Sequence, residues 1–285
     1  MTAARVMTLS PTVTSISVAI RRDPSLSWVP SASDGWEASH VYLVRSPAGR
    51  LLVDVGAAAH LEPLRSALAG ELEPGERVRV LLTRIELDCV GNLAALIGDG
   101  LVDDILSTQP FDVGDLLHLA PGVERVPARR LLAGWNAELQ MEVCAAPLRS
   151  LATTWYWSPH SSSLWCSDAF GWAGTARAED PPLLGADPGA GRNDAAAWAW
   201  ARDMRPYLLA KFDWMARAEP ERLKSVVESF FATHAPRMLL PTHGSVVIDD
   251  AAAQMISSLR AALAQGLTEP RPNADRAACD AGVGV

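Results

Sequence analysis

The chain has 285 residues, 49% of them hydrophobic and 20% charged, which is enough apolar material for one large core, so a single domain is expected. A formal net charge of −8, with no basic run beyond Arg129-Arg130, argues against nucleic-acid and anionic-membrane partners. No apolar run reaches the roughly 18 residues that span a bilayer. The opening "MTAARVMTLSPTV" lacks the shape of a secretory signal, and four cysteines (Cys89, Cys144, Cys166, Cys279) without CxxC spacing fit reduced thiols, so the cytoplasm is the expected compartment.

In chain order, strands dominate as far as Phe170. "TSISVAI" (14–20), "HVYLV" (40–44) and "RLLVDV" (50–55) come first, and "HLEPLRSALAG" (60–70) reads as a helix closed by Gly70. "RVRVLL" (77–82) is a strand, "GNLAALIGD" (91–99) a second helix, and "VDDILS" (102–107), "LQMEVCAA" (139–146), "ATTWYWS" (152–158) and "SLWCSDAF" (163–170) are further strands. Gly and Pro make "EDPPLLGADPGAGRND" (179–194) a loop. Helices then dominate, at 195–218, 220–235 and 249–266, with one short strand "RMLL" (237–240) leading into "PTHGSVV". The domain is expected to cover 1–266, and the polar tail 267–285 to be disordered.

The order of "YLVRSPAGRLLVDVG", "LLTRIELDCVGN", "CAAPLRSLATTWYW", "SLWCSDAFG" and "LLPTHGSVV" resembles the metallo-β-lactamase fold, and more narrowly the oxygen-binding diiron domain of flavodiiron proteins. The resemblance covers roughly residues 12–265 and implies an α/β, αββα sandwich of two mixed sheets flanked by helices. The chain stops about 40 residues after His243, so no flavodoxin-like domain is expected to follow. That family's usual reaction, reduction of oxygen or nitric oxide, uses two redox irons beside a flavin.

Carried over residue by residue, the family's ligand loop His-x-Glu-x-Asp-His falls on Arg84, Glu86, Asp88 and Cys89. The strand histidine falls on Arg149, the bridging aspartate on Asp168 and the last histidine on His243. A guanidinium has no lone pair to give, so Arg84 and Arg149 cannot ligate the first iron. Two readings follow. In one, Arg84 and Arg149 replace the metal charge beside Glu86, Asp88 and Asp168, and the chain is a cofactor-free, non-catalytic ligand-binding or regulatory relative that takes a small molecule. In the other, Asp88, Cys89, Asp168 and His243 hold one divalent ion, zinc or iron, in a mononuclear hydrolase.

Lesser features are weighed beside these. Cys89 and His243 can form a thiolate–imidazole pair, although a small buried thiol is the commoner fate of such a cysteine. Asp54 matches a family aspartate that supports the site without binding metal. His40, His60, His118, His160 and His234 match no ligand position, so core or surface roles are the default for each. Ten tryptophans suit core packing or an aromatic pocket, and the Trp-rich stretch 195–218 is the expected face of a homodimer.

Overall fold

The computed structural model describes residues 4–23, 35–47, 49–109, 126–148, 152–171, 174–185 and 204–264. Two seven-stranded sheets face each other. The first runs β1 (Ala4–Ser10), β2 (Val13–Arg21), β3 (Trp36–Ser46), β4 (Gly49–Val53), β5 (Val78–Leu81), β6 (Val102–Ser107) and β7 (Ala128–Arg130) in spatial order. β1 to β4 pair antiparallel and β4 to β7 parallel. The second sheet has the order β12-β14-β13-β11-β10-β9-β8 and is likewise mixed. Its strands are β8 (Gly134–Asn136), β9 (Met141–Ala145), β10 (Thr154–Ser158), β11 (Ser163–Ser167), β12 (Leu183–Leu184), β13 (Met238–Pro241) and β14 (Val246–Ile248).

Alternation along the strands divides the apolar residues among three cores. Val44, Leu51, Val53 and Leu81 of the first sheet meet Met141, Val143, Tyr156, Trp165 and Leu240 of the second in a central layer. On the outer face of the first sheet, Ile16, Val41, Leu52 and Val80 pack on α1 (Leu61–Glu71), α2 (Leu87–Val90) and α3 (Leu93–Gly98). On the outer face of the second, Trp155, Leu164, Cys166 and Leu239 pack on α4 (Arg205–Lys211), α5 (Pro220–Thr233) and α6 (Asp250–Ala264). This is the expected αββα sandwich.

The departures from the sequence reading have local causes. Gly70 lies inside α1, which runs one residue further and closes at Leu72 with extended backbone. The run 50–55 stops as a strand at Val53, and 163–170 stops at Ser167, because Asp54 and Ser167 take φ of 59° and 53°. Within 195–218, α4 breaks at Phe212 and a short 3₁₀ turn, Asp213–Arg217, follows. Residues 195–203 and the tail 267–285 lie outside the described residues, as do Arg149 and His118.

At one end of the sandwich the two sheets are stitched together. His40 N–H donates to Thr242 O at 2.8 Å and Gly244 N–H to Ala38 O at 2.8 Å, which ties β3 of the first sheet to the loop after β13 of the second. Two buried tyrosines anchor the same end: Tyr42 OH donates to Pro241 O at 2.6 Å and Tyr156 OH to Leu82 O at 2.7 Å. Gly244 (φ +90°) and Gly171 cross so closely that a Cβ on either would overlap the other loop's backbone. The chain segments carrying Arg84, Asp168 and His243 are therefore fixed from below.

Candidate functional site

The site is built on the loops that leave β4, β5, β11 and β13. Asp54, directly after β4, accepts the Thr83 N–H (2.8 Å) and the Thr83 hydroxyl (2.8 Å), which sets the turn after β5 that aims Arg84 inward. Burial pushes the Asp54 carboxyl up to about 6. It supports the loop from behind.

Arg84 is 3% exposed. Its guanidinium donates to Ser167 Oγ at 2.7 Å and to Asp88, while Nη2 lies 3.2 Å from Asp168 Oδ1 and Nε 3.2 Å from Glu86 Oε2. One guanidinium nitrogen, Nη2, thus touches both Asp88 Oδ2 and Asp168 Oδ1. Asp168 Oδ1 has a second cation, the Lys211 ammonium at 2.8 Å, reaching in from the end of α4. These contacts on Asp168 Oδ1 are at ion-pair distance without aligned hydrogen-bond geometry. Attraction is chiefly Coulombic there.

His243 faces a carboxylate with each ring nitrogen: Nε2 is 2.6 Å from Asp88 Oδ2, and Nδ1 is 3.3 Å from Glu37 Oε1. A hydrogen-bonded carboxylate on Nε2 and a second at ion-pair distance from Nδ1 favour the imidazolium. Burial and the Lys211 charge act to lower the His243 pKa, but the Asp88 and Glu37 contacts outweigh them and raise it. Arg22 Nε lies 3.6 Å from Glu37 Oε2. The result is an alternating chain: Arg22, Glu37, His243, Asp88, Arg84, Asp168, Lys211. Burial alone would raise the three carboxyls, yet all are lowered, Glu37 chiefly by His243, Asp88 by His243 and Arg84, and Asp168 by Lys211 and Arg84.

The remaining sequence candidates fall elsewhere. Ligand atoms of Asp88, Asp168 and His243 lie within 4.8 Å of one another, and Cys89 is outside that group. Its thiol is fully buried in the apolar layer under α2, 3.9 Å from Thr83 Oγ1, and burial pushes its pKa well up. His40 is buried at the rim. It donates from Nε2 to Gly244 O at 2.7 Å, which leaves Nδ1 to accept from Ser15 Oγ at 2.9 Å, and burial lowers its pKa to about 3. His60 donates to Ser39 O at 2.9 Å, and His160 is exposed.

Lys211, Glu37 and Arg22 escaped the sequence reading. Lys211 belongs to no motif, and only the docking of α4 brings it to Asp168. Glu37 did carry a signal, as an acid inside the apolar strand "WEASHVYLV".

No protein-family model matches the chain, and no curated protein sequence matches it. Solved structures do. A fragment (1–254) of diflavin flavoprotein A 5 from Nostoc sp. superposes with a TM-score of 0.64 at 13% identity, covering 93% of this chain and 99% of that one. Rubredoxin oxygen:oxidoreductase from Desulfovibrio gigas gives 0.66 at 18% identity, covering 92% and 62%. The flavodiiron protein from Giardia intestinalis gives 0.64 at 13%, covering 89% and 58%. The chain spans about three fifths of the length of these last two neighbours. By this likeness its fold is the metallo-β-lactamase-like fold of the flavodiiron core.

Proposed function

We propose that this chain is a metal-free relative of the flavodiiron core, in which an ion-paired network replaces the dinuclear centre and the fold serves ligand binding or regulation rather than redox catalysis. The observation that carries this reading is the position of Arg84 Nη2, in contact with both Asp88 and Asp168, two carboxylates that the family resemblance makes iron ligands. A guanidinium cannot coordinate a metal, and Lys211 adds a second cation on Asp168. His243, with a carboxylate on each nitrogen, offers no lone pair while it is an imidazolium. These donors do not fit a dinuclear iron centre.

A mononuclear hydrolase is the second reading, favoured by the close approach of the Asp88, Asp168 and His243 ligand atoms. It requires Arg84 and Lys211 to withdraw and His243 to lose a proton, which makes it the weaker of the two. Anaerobic titration with ferrous iron separates them. The wild type is expected to bind no iron at this cluster, and so are the variants Arg84→His and Lys211→Ala, each of which keeps one cation on Asp168. The double variant is expected to gain binding that His243→Ala removes. Stoichiometric iron in the wild type, lost on His243→Ala, would overturn the proposal.

A further inference from the structure

Away from this network, Glu142 and Cys144 of β9 and His234 at the end of α5 place one ligand atom each within 4.8 Å of the others. As residues i and i+2 of a strand, Glu142 and Cys144 point to the same face, outward from the second sheet and under α5. His234 Nδ1 lies 2.9 Å from both Phe230 O and Thr233 Oγ1, and since the Thr233 hydroxyl can donate to Phe230 O at 3.0 Å, a proton on Nδ1 is the arrangement that suits the carbonyl. Its Nε2 is turned to Glu142 Oε2 at 3.1 Å. A cation placed between that nitrogen and that carboxylate would satisfy both.

We infer that this cluster is a site for a single zinc-like divalent cation, held by Glu142, Cys144 and His234. Four features support it. A ring N–H donated to a backbone carbonyl is the arrangement that fixes the tautomer of a metal-binding histidine. The 3.1 Å between Nε2 and Oε2 is near the edge of a tetrahedral shell with bonds of about 2.0–2.1 Å. The cluster lies at the carbonyl end of the 14-residue α5, where the helix dipole favours positive charge. Trp157 and Phe230 shield His234, Phe230 stacking on it at 4.2 Å, while Glu142 keeps 38% of its side chain in solvent as a way in.

Thiolate, imidazole and carboxylate together suit zinc or cobalt better than calcium or magnesium. On binding, the Cys144 thiol loses its proton to solvent and the thiolate takes the metal, and water completes the shell. Because the thiol gives up its proton to bind, binding strengthens as pH rises. No redox change is involved. The ion would tie β9 to the end of α5, a role in stability.

The test is titration of the full chain with cobalt(II), followed by the near-ultraviolet thiolate-to-cobalt charge-transfer absorption. The wild type is expected to show it at one cobalt per chain, and zinc to displace it. Cys144→Ser should abolish the band. His234→Gln should weaken binding by more than the roughly 10–100-fold that loss of an outer-sphere partner costs. Cys89→Ser and Asp88→Asn should leave the band in place, which separates this site from the Arg84 network. Circular dichroism confirms that each variant is folded. Absence of the band in the wild type, or its survival in Cys144→Ser, overturns the inference; loss of the band in Cys89→Ser would assign the thiolate to the other site and overturn it too.

Discussion

Arg84 holds the centre of the network, and its removal has a calculable direction. Arg84→Ala leaves Asp88 and Asp168 facing each other with Lys211 and His243 as the remaining cations. Breaking one partner of a buried pair costs about 3–5 kcal/mol, so urea unfolding should show a loss of that order. Adding Asp168→Asn should recover part of it, since one stranded charge is gone. A loss below about 1 kcal/mol would mean that water already satisfies the carboxylates.

His243 gives the site a pH signature. Its folded pKa is raised, so its contribution is complete below its unfolded value of about 6.5 and is lost as pH rises through the raised folded value. Asp88, Asp168 and Glu37 have lowered values, so theirs is present above about 4 and is lost as pH falls further. His40, held neutral, adds a penalty that grows as pH falls from about 6.5 toward its folded value of about 3. Unfolding free energy measured from mildly acidic to mildly alkaline pH should therefore decline on the alkaline side in the wild type and stay flatter there in His243→Gln. Equal alkaline slopes would remove His243 from the account.

Among single residues, most of those with a motif address converge in the structure, Cys89 excepted, and those delivered by tertiary approach were not legible from sequence. Arg84, Glu86, Asp88, Asp168 and His243 stand in or beside short patterns that follow strands. Lys211 reaches Asp168, and Arg22 reaches Glu37, from segments whose docking no local pattern encodes.

The elements meet the site at strand ends, and that is where sequence reading was least accurate. "RLLVDV" and "SLWCSDAF" carry strand propensity straight through Asp54 and Ser167, yet both residues adopt positive φ so that the chain can turn into the site. Hydrophobic period marks the strand and says nothing of where its end is bent. β1 was missed although it has seven residues, and the short strands β7, β8, β12 and β14 were missed because two to three residues give no period to count. Conversely, "VDDILS" is a strand over its whole predicted length, buried at every position but Asp103.

The crossing of Gly171 and Gly244 is the element-scale contact most open to a direct test. Gly244→Ala puts a methyl into the Gly171 carbonyl and forces a non-glycine residue to φ +90°. A loss of about 2 kcal/mol or more in unfolding free energy is expected, with His243 displaced from Asp88. A neutral effect would show that the two loops can part without consequence.

At the scale of the whole molecule, the αββα architecture was legible through the resemblance of five motif-bearing segments to a known family, and the three apolar layers between and outside the two sheets are the packing that realises it. What lies between the sheet ends is a matter of charge rather than pattern. On the proposed reading the fold keeps the carboxylates of a metal centre and supplies cations from its own side chains, so the sandwich needs no ion at that end to remain closed. No helix among the described residues is long and apolar enough to cross a membrane. Trp214, partly exposed after α4, is what the described residues retain of the Trp-rich face expected for a homodimer.

The most direct measurement is elemental analysis of Cys144→Ser protein purified without chelators, a background in which the Glu142–Cys144–His234 cluster cannot contribute a thiolate-bound ion. Neither iron nor zinc is expected in stoichiometric amount. One or more ions per chain that vanish on adding His243→Ala would contradict it, because the Arg84 network would then be a metal site.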